Sequence, residues 1–388
     1  MNSQTKGADV IDRLLQLTPQ DSVHALRHAR QKVVAATQSF HELAFSPVGL
    51  SPAQHQDRLL AAALAAQATG PDVLAGEYSR LLLESGPSAA HRTLLEGGTD
   101  TGTAALDALA RYARTLALKP ATADRAALQS LVDAGWSVPE VVSLAQIMGY
   151  VSYQSRMMIG LLALQGLNAV GEPADEPARD PAFVHPAHLP SPGQRLDING
   201  YTNATLGWKA WLPIETLSLL TPAQNAILDT SHPTARESDY YMLLVRAPEL
   251  LEQRSLVYNA IMYAPGGAAR HERELASAAV SRINGCVYCT SVHAQRYEQL
   301  SKRNEVIAQL FNEPRQAGTT PREQAIIQAA IALTEHPREF GAASLQPLVA
   351  QGMAPEEIRD ILCAVAIFAW ANRLMMNLGE HVMPELGK

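Results

Sequence analysis

Two stretches of this chain, far apart in sequence, read almost alike. Ala127 to Met158 and Ser344 to Met376 both run Leu-Gln-x-Leu-Val-x-x-Gly, then Pro-Glu, then a long apolar segment, then an Arg closely followed by Met. The pairs Leu131 with Leu348, Gly135 with Gly352 and Arg156 with Arg373 keep one constant offset. Such self-similarity predicts a duplicated helical unit and rules out most single-copy folds. A proline-rich break, GEPADEPARDPAFVHPAHLPSPG, lies between Gly171 and Gly193 and separates the copies. Repeated proline removes backbone donors and forbids a continuous helix. The expected organisation is therefore a first half over residues 1–170, a linker over 171–200 and a second half over 201–388.

Both halves read as all-α. Apolar residues recur at spacings of three and four in Ile11–Leu17, Arg58–Ala68, Ala104–Leu118 and Arg322–Leu333. Thr122 or Asp124 is suited to cap one helix, and Thr320-Pro321 to open another with proline at its first position. No sustained period-two strand pattern and no glycine-rich phosphate loop is present. The most apolar run, Ile361 to Trp370, is about half of what spans a bilayer and reads as a buried core helix. MNSQTKGADVIDRLL has no apolar stretch behind a basic start, so no signal peptide is expected. A net charge of −7 without any basic run speaks against nucleic-acid binding.

The chain has three cysteines, Cys286, Cys289 and Cys363. An odd, small number does not make a secreted disulfide scaffold. In a reducing cytosol, where we expect this chain to work, a close pair points instead to catalysis or metal binding. Cys363 lies within the apolar run DILCAVAIFAW and reads as a small buried hydrophobe.

The pair sits in HERELASAAVSRINGCVYCTSVHAQRYEQL, His271 to Leu300. Leu275, Ala279 and Ile283 form an apolar stripe on one helix, Asn284-Gly285 is suited to end it, and a second helix begins near Cys286. On that second helix Cys286, Cys289 and His293 are three and four residues apart and share a face. The two sulfurs are then spaced to close a short disulfide, and the imidazole is placed to take a thiol proton. The helix N-terminus favours ionisation of Cys286 and the histidine favours Cys289, so spacing alone leaves the attacking sulfur open. Glu274, on the preceding helix, reaches this cluster if the two helices fold back on each other, and would orient the imidazole or relay its proton. Otherwise it is a surface charge paired with Arg273. Two cysteines, His293 and Glu274 also make four zinc ligands, but no second Cys/His pair lies nearby, which favours redox chemistry.

The spacing Glu274, Cys286-x-x-Cys289, His293, with its Arg-Glu-Leu, Asn-Gly-Cys and Tyr-Cys flanks, resembles the alkylhydroperoxidase D-like, peroxidase-related branch of the carboxymuconolactone decarboxylase family. The resemblance covers His271 to His381. The first half resembles the family only as a degraded copy, with Leu59 opposite Glu274, Pro71 opposite Cys286, Leu74 opposite Cys289 and Tyr78 opposite His293. The resemblance implies two tandem helical bundles, homo-oligomers (a dimer or trimer for a fused pair) and no cofactor. It also implies hydroperoxide reduction with Cys289 as attacking thiolate, Cys286 as resolving thiol, and His293 and Glu274 as proton relay. The partners expected are a small alkyl or hydrogen peroxide and a dithiol reductant, with no nucleic acid and no membrane. Tyr288 departs from the histidine that precedes the second cysteine in the family's best-known peroxidase. A disulfide reductase or redox relay without peroxidase activity, and a zinc-stabilised scaffold, are the competing readings. The family's namesake decarboxylases do not depend on a Cys-x-x-Cys, so the motif speaks against that chemistry.

Overall fold

The computed structural model describes residues 9–167 and 189–384. Of the expected linker, residues 171–188 lie outside the described residues. The fold is all-α. The first half forms α1 (Val10–Leu15), α2 (Ser22–His28), α3 (Gln31–Phe45), α4 (Pro52–Thr69), α5 (Asp72–Glu84), α6 (Ala89–Leu95), α7 (Ala104–Leu118), α8 (Arg125–Asp133) and α9 (Val138–Leu167). The second half contributes strands β1 (Asp197–Ile198), β2 (Tyr201–Thr202) and β3 (Gly207–Ala210) before its helices. These are α10 (Pro222–Ser231), α11 (Asp239–Leu244), α12 (Pro248–Met262), α13 (Arg270–Asn284), α14 (Val287–Ser301), α15 (Glu305–Asn312), α16 (Pro321–Glu335), α17 (Ala342–Ala350) and α18 (Pro355–Asn377), and β4 (Gly379–Val382) follows.

Local chemistry explains several boundaries. Ser51 and Thr221 close capping boxes with Gln54 and Gln224 at the starts of α4 and α10, each with proline in the first turn. Asp124, not Thr122, caps α8, accepting from the Ala127 N–H at 3.0 Å. Thr320 caps α16. Gly135 and Gly352, paired by the repeat, both take positive φ (101° and 70°) at the turn before a long helix.

The repeat survives as matched helices: α3 to α9 correspond in order to α12 to α18. Counterparts also pack on each other, α3 on α12 and α9 on α18. Self-matched contacts of this kind are what a two-fold axis produces, here inside one chain. One apolar core runs continuously through both halves. Helices α9 and α18 are buried nearly all round, which explains why their sequences are apolar on every face.

Two buried arginines tie the halves together reciprocally. Arg156 on α9 donates to Thr334 O at 3.0 Å, at the end of α16 in the other half. Arg373 on α18 donates to Leu116 O and Ala117 O, at 3.0 and 2.6 Å, at the end of α7. A guanidinium at a helix C-terminus meets the unpaired carbonyls and the negative end of the helix dipole. Burial still pushes Arg156 down to about 10.

The strands are too short to leave an alternating pattern in the sequence. β3 pairs antiparallel with β4, Trp208 opposite His381. The Trp208 Nε1–H donates to Met375 O at 2.8 Å, pinning the ribbon to the end of α18. No helix among the described residues is long and apolar enough to cross a membrane.

Candidate active site

Helices α13 and α14 fold back on each other around Gly285. Gly285 adopts φ +83°, with Gly285 N bonded to Arg282 O (3.2 Å) and Cys286 N to Ser281 O (2.8 Å), the paired bonds of a left-handed helix stop. Its counterpart Gly70 is extended at φ −84° because proline follows it. Asn372 on α18 fixes the turn: the Asn284 Nδ2–H donates to Asn372 Oδ1 at 2.9 Å, and the Asn372 Nδ2–H to Ser281 Oγ at 3.0 Å.

Cys286 is the N-cap of α14, its sulfur accepting from the Cys289 N–H at 3.5 Å. Both thiols are free and buried, as is Cys363. Burial, with the neighbouring Cys289, pushes the Cys286 thiol well up, so this sulfur stays protonated at neutral pH. Desolvation thus opposes the dipole effect read from sequence, which favours Cys286.

The α13–α14 turn brings Glu274 to His293. His293 Nδ1–H donates to Glu274 Oε2 at 2.6 Å, and Arg270 Nε–H donates to Glu274 Oε1 at 3.1 Å. Glu274 is only 1% exposed. Burial works to raise its pKa, but the His293 hydrogen bond and the Arg270 charge hold it below the usual carboxylate range. A carboxylate on Nδ1 fixes the tautomer and leaves the Nε2 lone pair as the base. Phe368 packs its ring against the imidazole at 4.2 Å. The partner of Glu274 is thus Arg270, not Arg273, whose guanidinium donates to Ile261 O and Ala264 O.

Not every expected contact forms. Among the described residues no hydrogen bond joins His293 to either sulfur; its partners are Glu274 and the Phe368 ring. No three of Cys286, Cys289, His293 and Glu274 bring ligand atoms within the 4.8 Å of one another that a shared ion needs. Glu274 is engaged on both oxygens by His293 and Arg270, which leaves it unsuited as a fourth zinc ligand.

A cavity of about 180 Å³ opens beside Cys286, lined by Trp211, Tyr288, Met375, Met376, Glu380 and His381. The β3–β4 ribbon carries Glu380 and His381 to this mouth. Both residues are exposed, yet they line the opening. Burial beside the two thiols pushes the Tyr288 hydroxyl up to about 12, so it stands there as a neutral donor. Arg254 was also missed. It lies buried on α12 against the rings of Tyr240 and Tyr258. Tyr258 is one turn along the same helix, but Tyr240 comes from α11, and no spacing rule marks that meeting. In the first half, Leu59, Leu74 and Tyr78 occupy the matching places as buried packing, and the Tyr78 hydroxyl donates to Gln154 Oε1 at 2.6 Å.

Residues 248–332 match the carboxymuconolactone decarboxylase family. That segment runs from α12 into α16 and contains Glu274, both cysteines of the pair and His293. No curated protein matches the chain. Among solved structures, the chain is similar to an alkylhydroperoxidase core, an uncharacterized peroxidase-related protein from Ralstonia eutropha JMP134. The two share 24% identity over 42% of this chain and 86% of that one, with a TM-score of 0.36. It is also similar to an uncharacterized peroxidase-related protein from Silicibacter sp. TM1040, at 22% identity over 45% of this chain and 92% of that one, with a TM-score of 0.37.

Proposed function

From the match of residues 248–332 to the carboxymuconolactone decarboxylase family, we propose that this chain is a thiol-dependent peroxidase. The observation that carries the reading is the buried Glu274–His293 bond at 2.6 Å beside two free thiols one helical turn apart. An ionised carboxylate raises the basicity of the imidazole it holds, which is what thiol deprotonation needs.

The cycle balances with these groups alone. His293 Nε2 takes the Cys289 proton, directly or through a water. The thiolate attacks the terminal peroxide oxygen, the O–O bond breaks, and the proton leaves with the alcohol or water. Cys289 is now a sulfenic acid. The Cys286 thiol attacks its sulfur, and its own proton departs with the hydroxide as water, leaving a Cys286–Cys289 disulfide. An external dithiol then returns both sulfurs to thiols by exchange and is itself oxidised. Cys286 suits the resolving role because burial keeps it protonated until the sulfenic acid appears.

The first half, which has the helices but not the reactive groups, acts as a built-in partner subunit. We place the protein in the cytosol, with a small hydroperoxide and a dithiol as its partners. The test is peroxide consumption with a dithiol reductant. Cys289→Ser abolishes it. Cys286→Ser still forms a sulfenic acid, trapped by dimedone, but turns over poorly. Full activity in both variants refutes the assignment. Two titratable thiols with no peroxide consumed identifies a disulfide reductase or relay instead.

A further inference from the structure

Three metal-ligating side chains meet on α1 and α2, two helices that precede the repeat and lie outside residues 248–332. His24 and His28 are four residues apart on α2, so both imidazoles project from one face. Their rings stack with centroids 4.0 Å apart and planes 17° apart. Asp12 on α1 faces both: its Oδ2 lies 2.7 Å from His28 Nε2 and 3.8 Å from His24 Nε2. One ligand atom from each of the three lies within 4.8 Å of the other two, and no other group of this kind occurs among the described residues. A proton does not satisfy this arrangement. On the Asp12–His28 pair it closes one hydrogen bond and leaves His24 Nε2 beyond hydrogen-bond reach. A tetrahedral zinc ion with bonds of about 2.0–2.1 Å holds its ligand atoms about 3.4 Å apart, a spacing that the 2.7 and 3.8 Å separations bracket.

The Asp12 carboxylate is already turned to offer Oδ2. Its other oxygen, Oδ1, accepts from Arg27 Nη1–H at 2.7 Å, and its backbone N–H donates to Asp9 Oδ1 at 3.1 Å. Outer hydrogen bonds of this kind fix the direction of a ligating carboxylate. The Arg27 charge does not cancel the pull on a cation, because Arg27 also pairs with Asp9 at 2.9 Å. Two carboxylates against one guanidinium leave a net negative charge beside the imidazoles. Two imidazoles with one carboxylate suit zinc and its transition-metal neighbours, whereas magnesium and calcium demand oxygen ligands. The histidine side chains are partly exposed, and His28 lines an open groove between α3 and α12 through which an ion can enter. We propose that Asp12, His24 and His28 form a zinc-class metal site whose fourth position is open to water. The bound ion pins α1 to α2. Arg30, two residues beyond His28, donates to Asp360 Oδ2 on α18 at 2.5 Å, so the ion braces these helices where they seat on the second half. The site draws on none of the groups of the thiol cycle.

The experiment is histidine footprinting of the untagged, metal-stripped full chain with diethyl pyrocarbonate, mapped by mass spectrometry during titration with zinc chloride. In the wild type, zinc shields His24 and His28 together, while the exposed His336 stays reactive. Magnesium chloride shields neither. In His24→Ala, shielding of His28 needs more than about 100-fold more zinc, beyond what loss of an outer-shell partner costs, and His28→Ala does the same to His24. Zinc also raises the Tm of the wild type and leaves that of both variants unchanged. Because each histidine is read by its own modification, zinc held by the Cys286–Cys289 pair does not imitate these results. Three outcomes overturn the proposal: zinc that shields neither histidine or only one in the wild type, magnesium that shields them equally well, or shielding of His28 that is indifferent to His24→Ala. The wild-type arm decides even if both variants fail to fold.

Discussion

Replacing Gly149 with alanine tests the packing of α9 on α18, on which the whole arrangement of halves depends. A Cβ built at Gly149 lies 2.3 Å from Trp370 Cδ1 and 2.9 Å from Trp370 Nε1. These are atoms of a rigid ring, and the ring cannot yield easily. Trp370 is fully buried, sits 4.6 Å from the Phe40 ring and 5.4 Å from that of Tyr150, and donates from Nε1 to Gln146 Oε1 at 3.1 Å. Forcing a methyl group into such a core costs about 1–3 kcal/mol. Disturbing the indole hydrogen bond adds about 1 kcal/mol. Against this, alanine in place of glycine inside a helix gains about 1 kcal/mol. The two smaller contributions cancel, and Gly149→Ala is expected to destabilise by about 1–3 kcal/mol. Gly76→Ala on α5 makes the same chemical change where no atom lies within 4 Å of the new Cβ. There only the helix preference acts, and the protein gains about 1 kcal/mol. Urea unfolding followed by circular dichroism reads both. A Gly149→Ala protein as stable as the wild type refutes the claim that the two long helices meet at this contact.

Acid should weaken the protein partly through Glu274. Its folded pKa is depressed, so the stability it contributes is present above the unfolded value of about 4.3 and lost as pH falls through the folded one. Glu274→Gln should flatten that part of the pH–stability curve, and an unaltered curve would show that the pair contributes nothing. Cys363, buried and pushed up to about 12, should resist alkylation and peroxide in the folded chain while Cys289 reacts; labelling of both at one rate would contradict this.

The repeat was readable because helix positions leave periodic traces and because Gly135 and Gly352 serve the same left-handed turn. The Glu274–His293 contact was foreseeable for a local reason. Gly285 reverses the chain, so residues on the two arms of one hairpin meet. What escaped was long-range. Arg254 meets Tyr240 through a contact between helices, and Glu380 reaches the cavity because β4 pairs with β3 from the far end of the half. The reciprocal grip of Arg156 and Arg373 was equally hidden: the matching residues were visible, but not that each anchors the opposite copy. Burial was also out of view: the loss of water around the Cys286 sulfur opposes the pull of the helix N-terminus.

The crossed arginines have a consequence for assembly. Each copy finishes a helix end that it does not own, so neither is complete until its sister is in place. Nothing in those bonds requires the sister to be covalently attached. Two chains folding at high concentration can trade halves and satisfy every contact, giving an intertwined dimer with the same interior as the monomer.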